Sequence, residues 1–174
     1  RLNGMNVVNG FSDILTPFLG AVGGYSGATG WWSNLQVFSM GRYIRSSGGG
    51  QLPLVKYLCK KLLNRINVNE REAFVRVKPD IMNGLSTDAL YEGRQPDRTE
   101  EALQLWQALT SMIEDIISED LGESLERLRN CITNAENCYN ELLTFGFSEN
   151  IEANIEYLHS LRDSISAFEQ LAEL

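Results

Sequence analysis

The sequence predicts an all-α protein, and three observations lead there. Residues 99–174 carry three successive apolar stripes at helical spacing, separated by short turn signals. Residues 53–66, "PLVKYLCKKLLNRI", place Val55, Leu58, Cys59, Leu62, Leu63 and Ile66 on one arc at roughly 100° per residue. The uncharged window 14–41 is interrupted by Pro17 and repeated glycines, so it reads as buried or irregular structure and not as a membrane span. The expected layout is a helical bundle in two parts. Residues 1–80 form a basic N-terminal helical lobe with a Gly-rich loop, 81–98 a linker or set of turns, and 99–174 an acidic three-helix antiparallel bundle.

Taken in order, "GAVGGYSGATG" (20–30) has low helix propensity and reads as loop or tight turns. "WWSNLQVFSMGRYIRS" (31–46) reads as a helix with Gly41 as its weak point, and "SSGGG" (46–50) as a connector. Pro53 suits the first turn of a helix running to Ile66. In "NEREAFVRVK" (69–78), Asn69 and Glu72 have capping-box spacing, which predicts a short helix. "PDIMNGLSTDALYEGRQPDR" (79–98) is rich in turn formers.

Thr99, followed by Glu100 and Glu101, opens the next helix, with Leu103, Trp106, Leu109 or Ala102, Met112, Ile113 and Ile116 as its apolar stripe. Gly122 marks a break. The next stripe is Leu125, Leu128, Ile132, Ala135, Tyr139 and Leu142. "FGFS" turns the chain, Ser148 caps, and Ile151, Ile155, Leu158, Leu161, Ile165, Phe168 and Leu171 or Ala172 follow in near 3-4 alternation.

Charge divides the chain. Residues 1–80 hold ten Lys or Arg against four Asp or Glu, a balance of +6; residues 81–174 hold five against nineteen, a balance of −14; the sum is the net −8. From Ile14 to Asn69 there is no acid, while Arg42, Arg45, Lys56, Lys60, Lys61 and Arg65 all fall there. Such asymmetry points to an electrostatic partner, either a polyanion or the protein's own acidic half.

Most catalytic chemistries lack their residues. A zinc site needs about four N or S ligands, and His159 with the scattered Cys59, Cys131 and Cys138 has no such spacing. "GYSGA" (24–28) ends in Ala28 where a nucleophile elbow needs Gly. "SSGGGQLP" has Gln51 and Leu52 where a P-loop needs Lys and Ser or Thr. The adjacent carboxylates of the acidic half read as a solvated face. No catalytic residue, metal or cofactor is therefore assigned, and the protein is expected not to be an enzyme. An enzymatic reading would need a deep pocket of buried carboxylates around Tyr91–Asp97.

On the expected helix 53–66, Lys56, Tyr57, Lys60, Lys61 and Arg65 share the face opposite the apolar arc. A surface helix normally mixes signs, because Glu–Lys pairs four apart stabilise it. A wholly positive face is the pattern of a phosphate-backbone contact, and Tyr57, Tyr43, Trp31 and Trp32 could stack on unpaired bases. The expected function is thus a non-enzymatic subunit of a larger assembly. It binds single-stranded nucleic acid without reading sequence, through Arg42, Arg45, Lys56, Tyr57, Lys60, Lys61 and Arg65.

The plan is similar to that of the small helical subunits of CRISPR surveillance complexes, a likeness of architecture and not of motif. The alternative is an interaction or scaffolding module whose basic face docks on an acidic protein surface, or on a second copy of this chain. Membrane binding fits less well, since the basic helix has no Trp or Phe on its apolar face. The three cysteines are an odd count. Cys131 and Cys138 are about 10 Å apart along a helix, too far to bridge, so a reducing, cytoplasmic setting is expected. The chain opens on Arg1 without a signal-peptide layout, and reads as a fragment of a longer polypeptide or as a chain beginning near Met5.

Overall fold

Strand and helix signals alternate more finely in the N-terminal half than its periodicity suggests. The computed structural model describes residues 5–10, 12–29 and 54–173. Along them run β1 (Val8–Gly10), α1 (Thr16–Ala21), β2 (Ser26–Ala28), β3 (Lys56–Cys59), β4 (Asn64–Asn67), α2 (Val68–Val77), α3 (Arg98–Ile116), α4 (Leu121–Thr144) and α5 (Ile151–Ala172). Short 3-10 turns lie at Asp13–Leu15, Lys60–Leu62, Pro79–Ile81 and Ser86–Tyr91. The described residues are mostly helical, as the sequence predicts, with two small sheets that it does not. The helix expected over 31–46, with Trp31, Trp32, Arg42, Tyr43 and Arg45, lies outside the described residues.

β1 and β2 pair in parallel across α1, with Val8 opposite Ser26 and Gly10 opposite Ala28. Gly24, after α1, serves close approach: a Cβ there would stand 2.6 Å from the Leu19 carbonyl oxygen. Backbone cannot yield to it as a flexible side chain could.

The expected helix over 53–66 is instead an antiparallel hairpin, pairing Lys56 with Asn67, Tyr57 with Ile66, Leu58 with Arg65 and Cys59 with Asn64. A short apolar run buried on both faces fits strand and helix periods alike, and here packing decides. Val55, Tyr57, Leu58, Cys59, Leu62, Leu63 and Ile66 are all buried. Leu63 turns the chain in the left-handed region at φ 48°, an uncommon place for a bulky side chain, which is why no turn signature marks it.

Strand β4 runs straight into α2, so the cap is Asn67 and not Asn69. The Asn67 side chain accepts from Glu70 N–H at 2.9 Å, and Glu70 accepts from Asn67 N–H at 2.8 Å. Likewise Asp97 with Glu100, and not Thr99, caps α3, and Asp120 caps α4, so that Gly122 lies within the first turn and breaks nothing. Asn150, in the left-handed region at φ 60°, precedes α5 in place of Ser148.

The core forms one cluster from Phe18 to Ile165. All six residues of the expected α4 stripe are buried in it. In α3 the buried face is Ala102, Leu105, Ala108, Leu109, Met112 and Ile116; Leu103 and Trp106, expected inside, are 46% and 36% exposed. The small Ala102 and Ala108 face the core in their place, where α3 lies against β3.

Candidate functional site

Strand β3 has a free edge, and side chains close it. Gln104, fully buried on α3, accepts from Leu58 N–H and donates to Leu58 C=O, both at 2.9 Å, as a neighbouring strand would. Glu101 accepts from Lys56 N–H at 3.1 Å, and Tyr91 donates its hydroxyl to Lys56 C=O at 2.7 Å. Asn83 accepts from Lys60 N–H at 2.8 Å and donates to Leu58 C=O at 2.7 Å. On the opposite strand the Arg65 and Asn67 N–H groups go to Asn64 and Glu70 side chains. Added strands therefore find few donors to pair with.

This architecture scatters the residues expected to share one basic face. Lys56 and Arg65 fall on one face of the hairpin, Tyr57 on the other, and Lys60 and Lys61 in the 3-10 turn. Tyr57 is 1% exposed and unavailable for base stacking. Its hydroxyl donates to Asp88 at 2.8 Å and accepts from Asn83 N–H at 3.1 Å, and its ring meets Tyr91 edge-on at 5.1 Å. Burial pushes its hydroxyl far above the usual tyrosine range, reinforced by Asp88.

The cations turn to acids of the same chain. Lys60 pairs with Asp115 at 2.6 Å and donates to Ser111. Lys61 pairs with Asp80 at 3.6 Å. Arg65, with only 11% of its side chain exposed, pairs with Asp13 at 3.3 Å and Glu101 at 3.4 Å. Lys78 bridges Asp80 at 3.2 Å and Glu141 at 2.6 Å. Lys56 stands exposed and makes no ion pair among the described residues. Arg42 and Arg45 lie outside them.

Around Tyr91–Asp97 the structure has a shallow pocket of about 240 Å³, lined by Asn67, Glu72, Gly93, Arg94 and Gln95 among others. The buried carboxylates nearby are structural. Asp88 holds Tyr57 and the Gly84 and Leu85 N–H groups; Glu101 holds Arg65, Arg98 and Lys56 N–H. Among the described residues no group of three His, Cys, Asp or Glu could hold a metal, and no helix is long and apolar enough to cross a membrane.

A surface that the sequence reading missed runs along α5. Of its stripe only Ile151, Leu158 and Ile165 are buried, where α5 packs on α4. Ile155, Leu161 and Phe168 are half-buried, Tyr157 is 40% exposed and Leu171 87%. Tyr157, Leu161, Phe168 and Leu171 recur four, seven and three residues apart and fall on one flank of the helix. The signal was present in the sequence as a stripe broader than one neighbouring helix can cover. Comparison of the chain with protein-family models, curated proteins and solved structures yields no match.

Proposed function

We propose that the protein is a non-enzymatic helical subunit of a larger assembly, in which the flank of α5 receives a basic amphipathic helix from a protein partner. The observation that carries this reading is the mismatch between the apolar stripe of α5 and the part that α4 covers. In this reading the three long helices form an antiparallel bundle that lacks a fourth member. An i, i+4, i+11, i+14 row of apolar residues is the pattern that helix-in-groove recognition uses.

Charge supports the choice of partner. Residues 119–174 hold twelve Asp or Glu against three Arg, so 3 − 12 = −9. A basic helix complements that rim, and a second copy of the same acidic surface does not. The sign is opposite to that of the docking alternative read from the sequence, because Lys60, Lys61, Arg65 and Lys78 are already paired within the chain.

The test is calorimetric titration with a designed peptide of about three heptads, Leu at a and d and Lys elsewhere. The expected result is saturable binding that Leu161→Glu or Phe168→Glu weakens by roughly tenfold or more, since each buries a charge in an apolar contact. Equal binding by wild type and both variants, or binding of a Glu-for-Lys version of the peptide just as well, would sink the proposal. Contact with a nucleic-acid backbone is the competing reading, favoured by the exposed ammonium of Lys56, which makes no ion pair among the described residues, and by Arg42 and Arg45 in the sequence. It requires salt-sensitive retention of single-stranded oligonucleotides that a Lys56→Ala, Arg42→Ala, Arg45→Ala variant loses.

A further inference from the structure

Between β4, the start of α2 and the first turn of α5 lies an open cleft of about 410 Å³. Asn64 lines it and has its whole amide engaged. Its Oδ1 accepts from Arg65 N–H at 2.7 Å, and its Nδ2 donates to the Tyr139 hydroxyl at 3.3 Å and to Asn154 Oδ1 at 3.0 Å. Those bonds fix the sense of both neighbours. The Tyr139 oxygen accepts, so its own proton must be given elsewhere, and no acceptor for it is found among the described residues. Yet Tyr139 is 1% exposed, where an unused donor is costly. Asn154 accepts through its oxygen, which leaves its NH₂ group as the donor.

Two further donors share the same lining. Lys56 is exposed and makes no ion pair among the described residues. Ala153 lies in the first turn of α5, whose N-terminal N–H groups receive no side-chain cap from Asn150. The lining also holds Arg65, tied to Asp13 and Glu101, and two carboxylates: Glu70, which accepts from Asn67 N–H, and Glu149 on the exposed turn before α5.

We propose that this cleft binds a small oxyanion, a carboxylate or phosphate group, through the Tyr139 hydroxyl, the Asn154 amide and the Lys56 ammonium. An oxyanion offers acceptors only, which is what a surplus of donors selects. The positive end of the 22-residue α5 adds to the attraction. A volume of about 410 Å³ suits a metabolite-sized molecule more than a bare ion.

Amide NMR titrations with inorganic phosphate and with succinate, at ionic strength held constant with sodium chloride, test the site and distinguish its two chemistries. The expected result is saturable shifts at Ala153 and at the Asn64 and Asn154 side-chain amides, stronger for one probe than the other. Tyr139→Phe keeps the ring and removes the donor, and should weaken binding roughly tenfold. Lys56→Met keeps the stem and should weaken it by roughly threefold, as an exposed charge would. Unchanged thermal unfolding would show that both variants are folded. Shifts that do not saturate, or that survive intact in both variants, would mean general ion association and would overturn the site. Leu161→Glu should leave these shifts unaltered, so this site and the α5 docking surface can fail separately.

Discussion

Gln104 replaces a strand with a side chain. Its amide meets both backbone groups of Leu58 at the closed edge of β3, in a position with no access to water, and Asn83 shares the carbonyl. Gln104→Leu keeps most of the volume and leaves the buried Leu58 N–H unpaired, while Asn83 still holds the C=O, which should cost about 1–3 kcal/mol in urea unfolding. Thr110→Leu on the exposed side of the same helix should change stability by less than about 0.5 kcal/mol. The cations divide in the same way. Arg65→Ala takes the cation from half-buried Asp13 and leaves buried Glu101 with Arg98 alone, and should cost more than about 1 kcal/mol. Lys61→Ala, whose pair with Asp80 is 45% and 62% exposed, should cost under about 0.5 kcal/mol. Equal effects would mean that Arg65 is a solvating charge and not an anchor.

The Arg94 guanidinium at 2.5 Å and the Asp97 N–H hold Glu100 down from its ordinary 4.5 to about 2. A carboxylate whose pKa is lowered by folding contributes stability that is complete above 4.5 and is lost as pH falls through about 2. Unfolding measured between those limits should be less steep in pH for Glu100→Gln than for the wild type. Burial pushes the Cys59 thiol up to about 12, and Cys59 is inaccessible, whereas Cys131 and Cys138 are half-buried. A thiol reagent should therefore label Cys131 and Cys138 in the folded protein and reach Cys59 only on unfolding.

At the scale of elements, legibility followed burial geometry. Helix α4 has one neighbour-facing side, so its stripe from Leu125 to Leu142 was readable residue by residue. Ile132→Ala, at 0% exposure, should cost about 2–5 kcal/mol, and Leu171→Ala, at 87%, close to nothing. The hairpin was not readable, because β3 is covered on both faces and a strand of that kind shows no alternation. Its turn hides as well: a left-handed Leu63 stands where Asn-Gly would have announced a hairpin. The α2 cap was ambiguous between two overlapping Asn-x-x-Glu boxes, and only the end of β4 chooses Asn67. The candidate surface on α5 was half legible. Leu161, Phe168 and Leu171 were recognised as apolar, but how much of them a neighbour covers is a tertiary fact.

For the whole molecule, the acid-free stretch has a physical account that needs no outside ligand for three of its six cations, Lys60, Lys61 and Arg65. Lys60 and Arg65 meet Asp115 and Glu101 of the acidic half, and Lys78 meets Glu141. Opposite charges far apart in sequence thus fasten the hairpin to α3, and the segment after α2 to α4. The surface that remains is acidic: the described residues include all 23 Asp and Glu, and 15 − 3 = 12 Lys and Arg once Arg1, Arg42 and Arg45 are set aside. Such a surface repels polyanions and steers cations. The most direct measurement is a parallel titration of the wild-type chain with the basic heptad peptide and with a single-stranded oligonucleotide across one salt series. The expected result is saturable peptide binding that weakens with salt and depends on Leu161 and Phe168, with no comparable retention of the oligonucleotide. Tight, salt-sensitive oligonucleotide binding beside a peptide that fails to bind would contradict it.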